Sequence, residues 1–155
     1  MNQISISQPS NQDRAFNGDR VREHTAPKVN ERIDRTTEGS VDACISNGPE
    51  AIRQRLAELD HEWDVDRALM VNFAVVGGAA FSVGLARYAS TPMLARRRTG
   101  FLSFFGTQLG FLLLHGVVGW CPPASLFRRL GFRTQREIEA ERSALRNALA
   151  LTDGR

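Results

Sequence analysis

The sequence predicts an all-α membrane protein, built on a two-helix transmembrane hairpin with amphipathic helices on both sides and a disordered N-terminus. Two uncharged stretches, 68–86 and 100–120 with His115 counted as neutral, are the main observation. A helix of about 19 residues is roughly 28 Å long, close to the thickness of a bilayer hydrocarbon core. The charged residues lie almost entirely outside these stretches, so the predicted hairpin covers 68–120.

The segment before the first stretch divides into three predicted parts. Residues 1–26 are mostly polar and hold too few apolar side chains for a core, so they are predicted to be a disordered tail. Residues 27–48 show apolar side chains roughly four or eight apart, which predicts a marginal helix or linker broken at Ser46-Asn47-Gly48. Residues 49–67 form an amphipathic helix that starts at a proline.

This amphipathic helix has two open interpretations. Ile52, Leu56, Leu59 and Trp63 fall on a single stripe, with charged residues on the other faces. Such a stripe packs on another helix of the same protein or lies on the membrane surface.

The two uncharged stretches are interpreted as membrane spans rather than as core helices of a soluble bundle. Trp63, Tyr88 and Trp120 stand near their ends, where amphipathic rings prefer the headgroup zone. Core helices of soluble proteins are usually shorter and carry a polar stripe. The expected partners are therefore the lipid bilayer and other membrane helices.

Residues 121–155 are predicted to leave the membrane. Pro122 and Pro123 stop the second span. A short interfacial helical turn follows and closes at Gly131. Thr134 and Glu137 then form a capping-box pattern that opens a last amphipathic helix over 135–151.

Small residues on the spans predict self-association. Transmembrane helices associate through close packing of small residues. The face that contains the GxxxG pair is expected to stay free for a second copy, which makes the protein a homo-oligomer. The small residues singled out are Gly106 and Gly110 on the second span and Ala74, Gly78 and Ser82 on the first.

Three polar residues inside the spans are candidate functional residues, because polar groups in a membrane are costly. They are Asn72, Gln108 and His115. Antiparallel pairing of the spans predicts that Asn72 approaches His115 and that Gln108 packs near Ala79. The structural alternative is that His115 is neutral and forms a hydrogen bond with Asn72 or with a backbone carbonyl.

The remaining composition excludes more than it indicates. Cys44 and Cys121 make no disulfide framework, and the histidines lack metal-ligand spacing. Cys121, at the membrane edge, is a possible reactive thiol or a small buried residue. No catalytic residue, cofactor or metal is predicted, and a net charge of +3 is weak evidence for nucleic-acid binding, which is not predicted.

The arginine distribution predicts the orientation. The loop between the spans contains Arg87 and 96–98, whereas seven arginines flank the outer ends of the spans. Positive charge accumulates on the cytoplasmic side. Both termini are therefore predicted to be cytoplasmic.

Three segments resemble a known family. They are Glu62 to Leu69 (EWDVDRAL), His115 to Pro123 (HGVVGWCPP) and Leu126 to Leu145 (LFRRLGFRTQREIEAERSAL). Together they resemble the YgaP-like transmembrane domain family, small bacterial inner-membrane proteins of unknown function, some fused to a rhodanese domain. The resemblance covers 49–149, and a weaker resemblance covers 25–39. It implies a dimeric inner-membrane hairpin with cytoplasmic ends and carries over no catalytic residue.

Three functions are compatible with this sequence. The leading hypothesis is a non-enzymatic inner-membrane scaffold that self-associates through the hairpin and binds an unknown protein through its cytoplasmic helices. A small oligomeric conduit or transporter component for small anions or sulfur species, lined by Gln108 and His115, is the first alternative. A thiol sensor at the membrane edge that uses Cys121 is the second.

Overall fold

The computed structural model describes Phe16, residues 18–90 and residues 100–153. All regular structure in these residues is helical, which confirms the all-α prediction. The elements are α1 (Arg20–Glu23), α2 (Pro27–Asn47), α3 (Pro49–His61), α4 (Val65–Asn72), a π-helical turn (Phe73–Gly77), α5 (Gly78–Ser90), α6 (Gly100–Val118), α7 (Pro122–Leu130) and α8 (Gln135–Asp153).

Helices α2, α3 and α8 pack on one another and form what we call the polar module. Its core joins the stripe of α3 to that of α8: Ile52 and Leu59 pack with Ile138 and Leu145, each 2% exposed or less. Burial of side chains of this size stabilises the fold by about 1.5–3 kcal/mol each. Of the two interpretations of the α3 stripe, the structure supports packing within the protein.

One boundary in the polar module differs from the prediction. Helix α2 is a regular helix of 21 residues, not a marginal one, and it ends at the predicted break, where Gly48 adopts a positive φ of 92°. Helix α3 ends at His61 rather than near 67. A new helix begins at Val65, because the Asp64 carboxylate accepts a hydrogen bond from the Arg67 amide at 2.7 Å and caps it.

Two helices are long and apolar enough to cross a membrane. The first apolar helix comprises α4, the π turn and α5, and the second is α6. They pack in antiparallel order: Gly77 faces Phe105, the Phe81 and Phe105 rings lie 5.1 Å apart, and Gly84 faces Leu102. The approach at Gly84 is close, because an added Cβ there would lie 3.0 Å from the Leu102 side chain, which would have to move by a few tenths of an ångström.

The π turn keeps one face of the first apolar helix turned inward. Its buried positions are Val65, Ala68, Leu69, Phe73, Gly77, Ala80 and Gly84, and of these Val65, Leu69, Phe73 and Gly77 recur every four residues, slightly more slowly than an α-helix repeats. A wider turn absorbs this difference, as π-bulges do inside long helices. The outward faces stay uncovered: α6 has no buried residue.

Helices α7 and α8 follow the predicted pattern. Cys121 caps α7, which closes at Gly131 with φ 99°. The capping box is present: the Glu137 amide donates to Thr134 Oγ1 at 3.3 Å, and the Thr134 amide donates to Glu137 Oε2 at 2.8 Å.

The predicted disorder of the tail is wrong for residues 18–26, which contain α1. Arg20 donates to the carbonyls of Gly116 and Val117 at 3.3 and 2.9 Å, and so satisfies the end of α6. Gly119, with φ 81°, lets α1 approach, because a Cβ there would lie 2.4 Å from Arg20 Cβ. These long-range contacts order a segment that has no core of its own. Residues 1–15, 17 and 91–99, including Arg96 to Arg98, lie outside the described residues.

Candidate functional site

A cluster of charged residues lies where the polar module meets the two apolar helices. The Val65 amide donates to the Arg133 carbonyl at 2.8 Å, which ties the cluster to the first residue of the first apolar helix. We call it the charged junction. It comprises four arginines and four carboxylates: Arg22, Arg55, Arg128, Arg133, Asp34, Glu62, Glu137 and Glu141.

The first half of the junction is built around Glu137. Arg128, 1% exposed, donates to both of its carboxylate oxygens, at 2.5 and 2.7 Å. Arg22 donates to the same carboxylate at 2.6 Å and to Asp34. Arg128 also donates to the Asn30 side-chain oxygen at 2.8 Å, so α1, α2, α7 and α8 meet at the buried Arg128–Glu137 pair.

The second half is built around Glu141, which is 1% exposed. Arg55 on α3 donates to it at 2.9 Å, and Arg133 donates to it from the turn before α8. Arg133 also holds both oxygens of Glu62 at 2.7 Å. The pair Glu137 and Glu141, one helical turn apart, thus collects arginines from four segments of the chain.

The junction is electrically balanced, which makes its burial tolerable. Buried charges are costly unless they are paired and hydrogen-bonded, and bidentate arginine–carboxylate pairs are the strong form of such bonds. Burial alone would raise the pKa of Glu137 and Glu141. The hydrogen bonds and charges of their arginines outweigh burial and lower each pKa below the ordinary 4.5, so both remain ionised at neutral pH.

Sequence reasoning missed this junction, although one signal for it was present. Glu141 falls on the same face of α8 as Ile138 and Leu145, three and four residues away. A carboxylate inside an apolar stripe indicates a buried, paired charge. The identity of its partners depends on tertiary contacts over more than 80 residues of sequence for Arg55.

The hydrogen-bonding partner of the His115 side chain is Asp66, not Asn72 or a backbone carbonyl. His115 Nε2 lies 2.7 Å from Asp66 Oδ1 near the start of the first apolar helix. The predicted approach of Asn72 to His115 stays a prediction. Asn72 Oδ1 and His115 Nδ1 are each buried without a hydrogen-bond partner in the described part of the chain. Asp66 is therefore the functional candidate that the sequence analysis did not single out.

The remaining candidates on the apolar helices are Gln108 and the small residues. Gln108 is half-buried on α6, and its predicted packing near Ala79 stays a prediction. A Cβ at Gly106, Gly110 or Gly78 would meet nothing within 4 Å. Ala74 and Ser82 are exposed, so neither small-residue row makes the contact between the two apolar helices. Their role in self-association stays a prediction.

The Cys121 thiol is fully buried and has a structural role. Its Sγ accepts a hydrogen bond from the Ala124 amide at 3.4 Å and caps α7. Burial raises the pKa of the thiol, the charge of Asp66 adds to this, and the hydrogen bond only partly opposes it. Because the thiolate is the reactive form, this environment favours the buried structural interpretation over the reactive one.

Two concave surfaces border the charged junction. One, the junction pocket, has a volume of about 320 Å³ and is lined by Arg32, Thr36, Ser40, Arg55, Glu62, Gly131 and Arg133 among others. The other, the α2–α8 groove, has a volume of about 560 Å³. Its apolar residues include Val41, Ala140 and Ala144, and its acidic residues include Asp34, Glu38 and Asp42.

No cluster of side chains in the described ranges could hold a metal ion. Comparison with protein-family models, curated proteins and solved structures finds no match for this chain. The resemblance to the YgaP-like family therefore stays a prediction.

Proposed function

We propose that this protein is a non-enzymatic scaffold of a bacterial inner membrane, anchored by the hairpin of its two apolar helices. Its polar module then lies against the cytoplasmic side, with both chain ends there, and binds a protein partner. Self-association through the faces of the apolar helices belongs to the same proposal.

One observation carries the anchoring. Large apolar side chains are exposed along the outward faces of both apolar helices, whereas soluble monomers rarely expose apolar patches of more than a few hundred Å². Lipid is the solvent that such a surface matches. Its large exposed side chains are Met70, Val71, Val75, Val76, Phe81, Val83, Leu85, Phe101, Phe104, Leu109, Leu113, Val117 and Val118.

The polar module supports the scaffold role. The ion pairs of the charged junction connect its helices, and the α2–α8 groove lies beside that junction. The apolar floor and acidic rim of the groove match a basic amphipathic helix of another protein, which would lay its apolar face into the groove.

The conduit remains a second candidate, because one observation favours it. Asn72 and His115 each have a buried polar atom without a hydrogen-bond partner among the described residues, and membrane proteins keep such groups chiefly for ion or substrate paths. A conduit also needs several copies to enclose a path, so this second candidate depends on self-association.

Membrane extraction tests the anchoring. The chain is expected to stay in the pellet after an alkaline carbonate wash and to enter solution only with detergent. Leu109→Arg, at the exposed centre of α6, is expected to lower the inserted fraction, since a central arginine costs about 2.5–3.5 kcal/mol on insertion scales. Ala57→Arg, on an exposed face of α3, serves as the matched control and leaves insertion unchanged. A monodisperse chain in the detergent-free supernatant would refute the proposal.

A further inference from the structure

The junction pocket combines features of a site for a phosphate group. Three arginines line it, whereas the hydroxyls of Thr36 and Ser40 donate to the Arg32 carbonyl and to Glu141. Guanidinium groups are side chains that bind phosphate oxygens. The residue that sets the pocket apart from the rest of the junction is Arg32.

Arg32 is the arginine of this pocket that no carboxylate neutralises. Its guanidinium donates to the Arg129 carbonyl at 2.6 Å, and it makes no ion pair within the described ranges. The other two arginines, Arg55 and Arg133, are paired with Glu58, Glu62 and Glu141. Arg32 is therefore the positive charge of this pocket that a bound negative group can pair with.

The pocket opens next to the end of α7, whose outward side chains suit lipid. Leu126 and Leu130 are 58% and 67% exposed, and Leu130 directly precedes Gly131, a lining residue. On the other side of the pocket, the backbone carbonyl of the lining residue Arg133 accepts a hydrogen bond from the amide of Val65, the first residue of the first apolar helix. The exposed Trp63 lies two residues before Val65, with the Arg67 guanidinium over its ring. Tryptophan is enriched at the headgroup depth of membranes.

We propose that the junction pocket binds the phosphate of an anionic phospholipid headgroup, with Arg32 as the main charge contact and Leu126 and Leu130 beside the acyl chains. The proposal rests on the membrane anchoring proposed above. An anionic phospholipid has one net negative charge, which can pair with Arg32. A choline headgroup would bring its own cation towards the arginines. Inorganic phosphate shares the phosphate chemistry but lacks the acyl chains.

Native mass spectrometry of the detergent-solubilised full chain tests this proposal. Phosphatidylglycerol, phosphatidylcholine and inorganic phosphate are titrated separately. The wild-type chain is expected to retain one phosphatidylglycerol in preference to phosphatidylcholine. Arg32→Gln is expected to weaken phosphatidylglycerol binding about fivefold, the effect of one arginine near an anionic surface. Arg35→Gln is the matched control and is expected to leave binding unchanged: Arg35 is exposed on the same helix, donates to the Glu31 carbonyl and lies outside the pocket.

A second variant separates lipid from free phosphate. Leu130→Asn is expected to weaken phosphatidylglycerol binding and to leave inorganic phosphate binding as it was. Equal losses in Arg32→Gln and Arg35→Gln, equal retention of the two lipids, or displacement of phosphatidylglycerol by inorganic phosphate at millimolar concentration would each overturn the proposal. Failure of the anchoring itself is seen separately, as release of the wild-type chain by carbonate.

Discussion

At the scale of single residues, the charged junction shows that a few carboxylates organise the polar module. Glu141 is surrounded by Arg55, Arg133 and Ser40, which come from α3, from the turn before α8 and from α2. A buried ion pair contributes little net stability against an apolar replacement, but the loss of one partner leaves an uncompensated charge. The junction therefore determines which helices pack together. Removal of one of its members is expected to lower the free energy of unfolding.

Glu141→Gln is expected to lower the free energy of unfolding by about 3 kcal/mol, because Arg55 and Arg133 each lose a buried counter-charge. Chemical denaturation of the detergent-solubilised chain measures the change. Glu139→Gln, on the same helix but 43% exposed and paired with Arg142, is the control and costs at most about 1 kcal/mol.

The same variant makes the acid dependence testable. The folded-state pKa of Glu141 is depressed below 4.5, so its contribution is complete above that value and is lost as the pH falls through the lower folded pKa. The stability difference between the wild type and Glu141→Gln is therefore expected to shrink as the pH falls below 4.5. A difference that stays constant down to pH 2 would contradict a pKa lowered by these arginines.

At the scale of elements, the faces of the apolar helices differ in what covers them. Gly77 and Gly84 lie against the partner helix in the same chain. Gly106 and Gly110 lie on α6 where an added Cβ meets nothing within 4 Å. The small residues of the sequence thus divide into those that contact the other apolar helix and those that stay uncovered, which the proposed second copy would cover.

Self-association through this face can be tested on α6. Gly106→Leu with Gly110→Leu is expected to weaken the dimer about tenfold or more, because leucine side chains keep the backbones apart. Energy transfer between labelled copies in detergent micelles measures the dissociation constant. Gly116→Leu is the control, since it lies on a different face of α6 where an added Cβ is also unhindered. Equal dissociation constants for all three proteins would show that the GxxxG face makes no contact between copies.

At the scale of the whole molecule, the chain divides into an apolar half and a polar half joined by the charged junction. Helix α1 adds a second link, because Arg20 binds the end of α6 while Arg22 binds Glu137 in the polar module. A partner bound to the polar module would therefore be held at a fixed position relative to the apolar helices. This arrangement fits the proposed scaffold.

Partner binding is expected in the α2–α8 groove. A photo-cross-linking residue in place of Val41 is expected to give a discrete adduct in native membranes, and the same residue in place of the exposed Arg53 on α3 to give none. Asp42→Lys, a charge reversal on the acidic side of the groove, is expected to reduce the adduct because the predicted partner segment is basic. The same adduct from both positions, insensitive to Asp42→Lys, would argue against this groove.

The sequence by itself determined the helical class, the two apolar helices and most helix ends, because these depend on local features: uncharged runs, apolar periodicity, the stop at Pro122 and the left-handed Gly131. Only the tertiary structure decided the order of residues 18–26, the pairing of His115 with Asp66 and the charged junction. These depend on which distant groups meet, since a buried charge or a segment without its own core is stabilised only by partners far along the chain. Arg128 and Glu137 are near neighbours in sequence, but the contacts of Arg22 and Asn30 with them follow from packing alone.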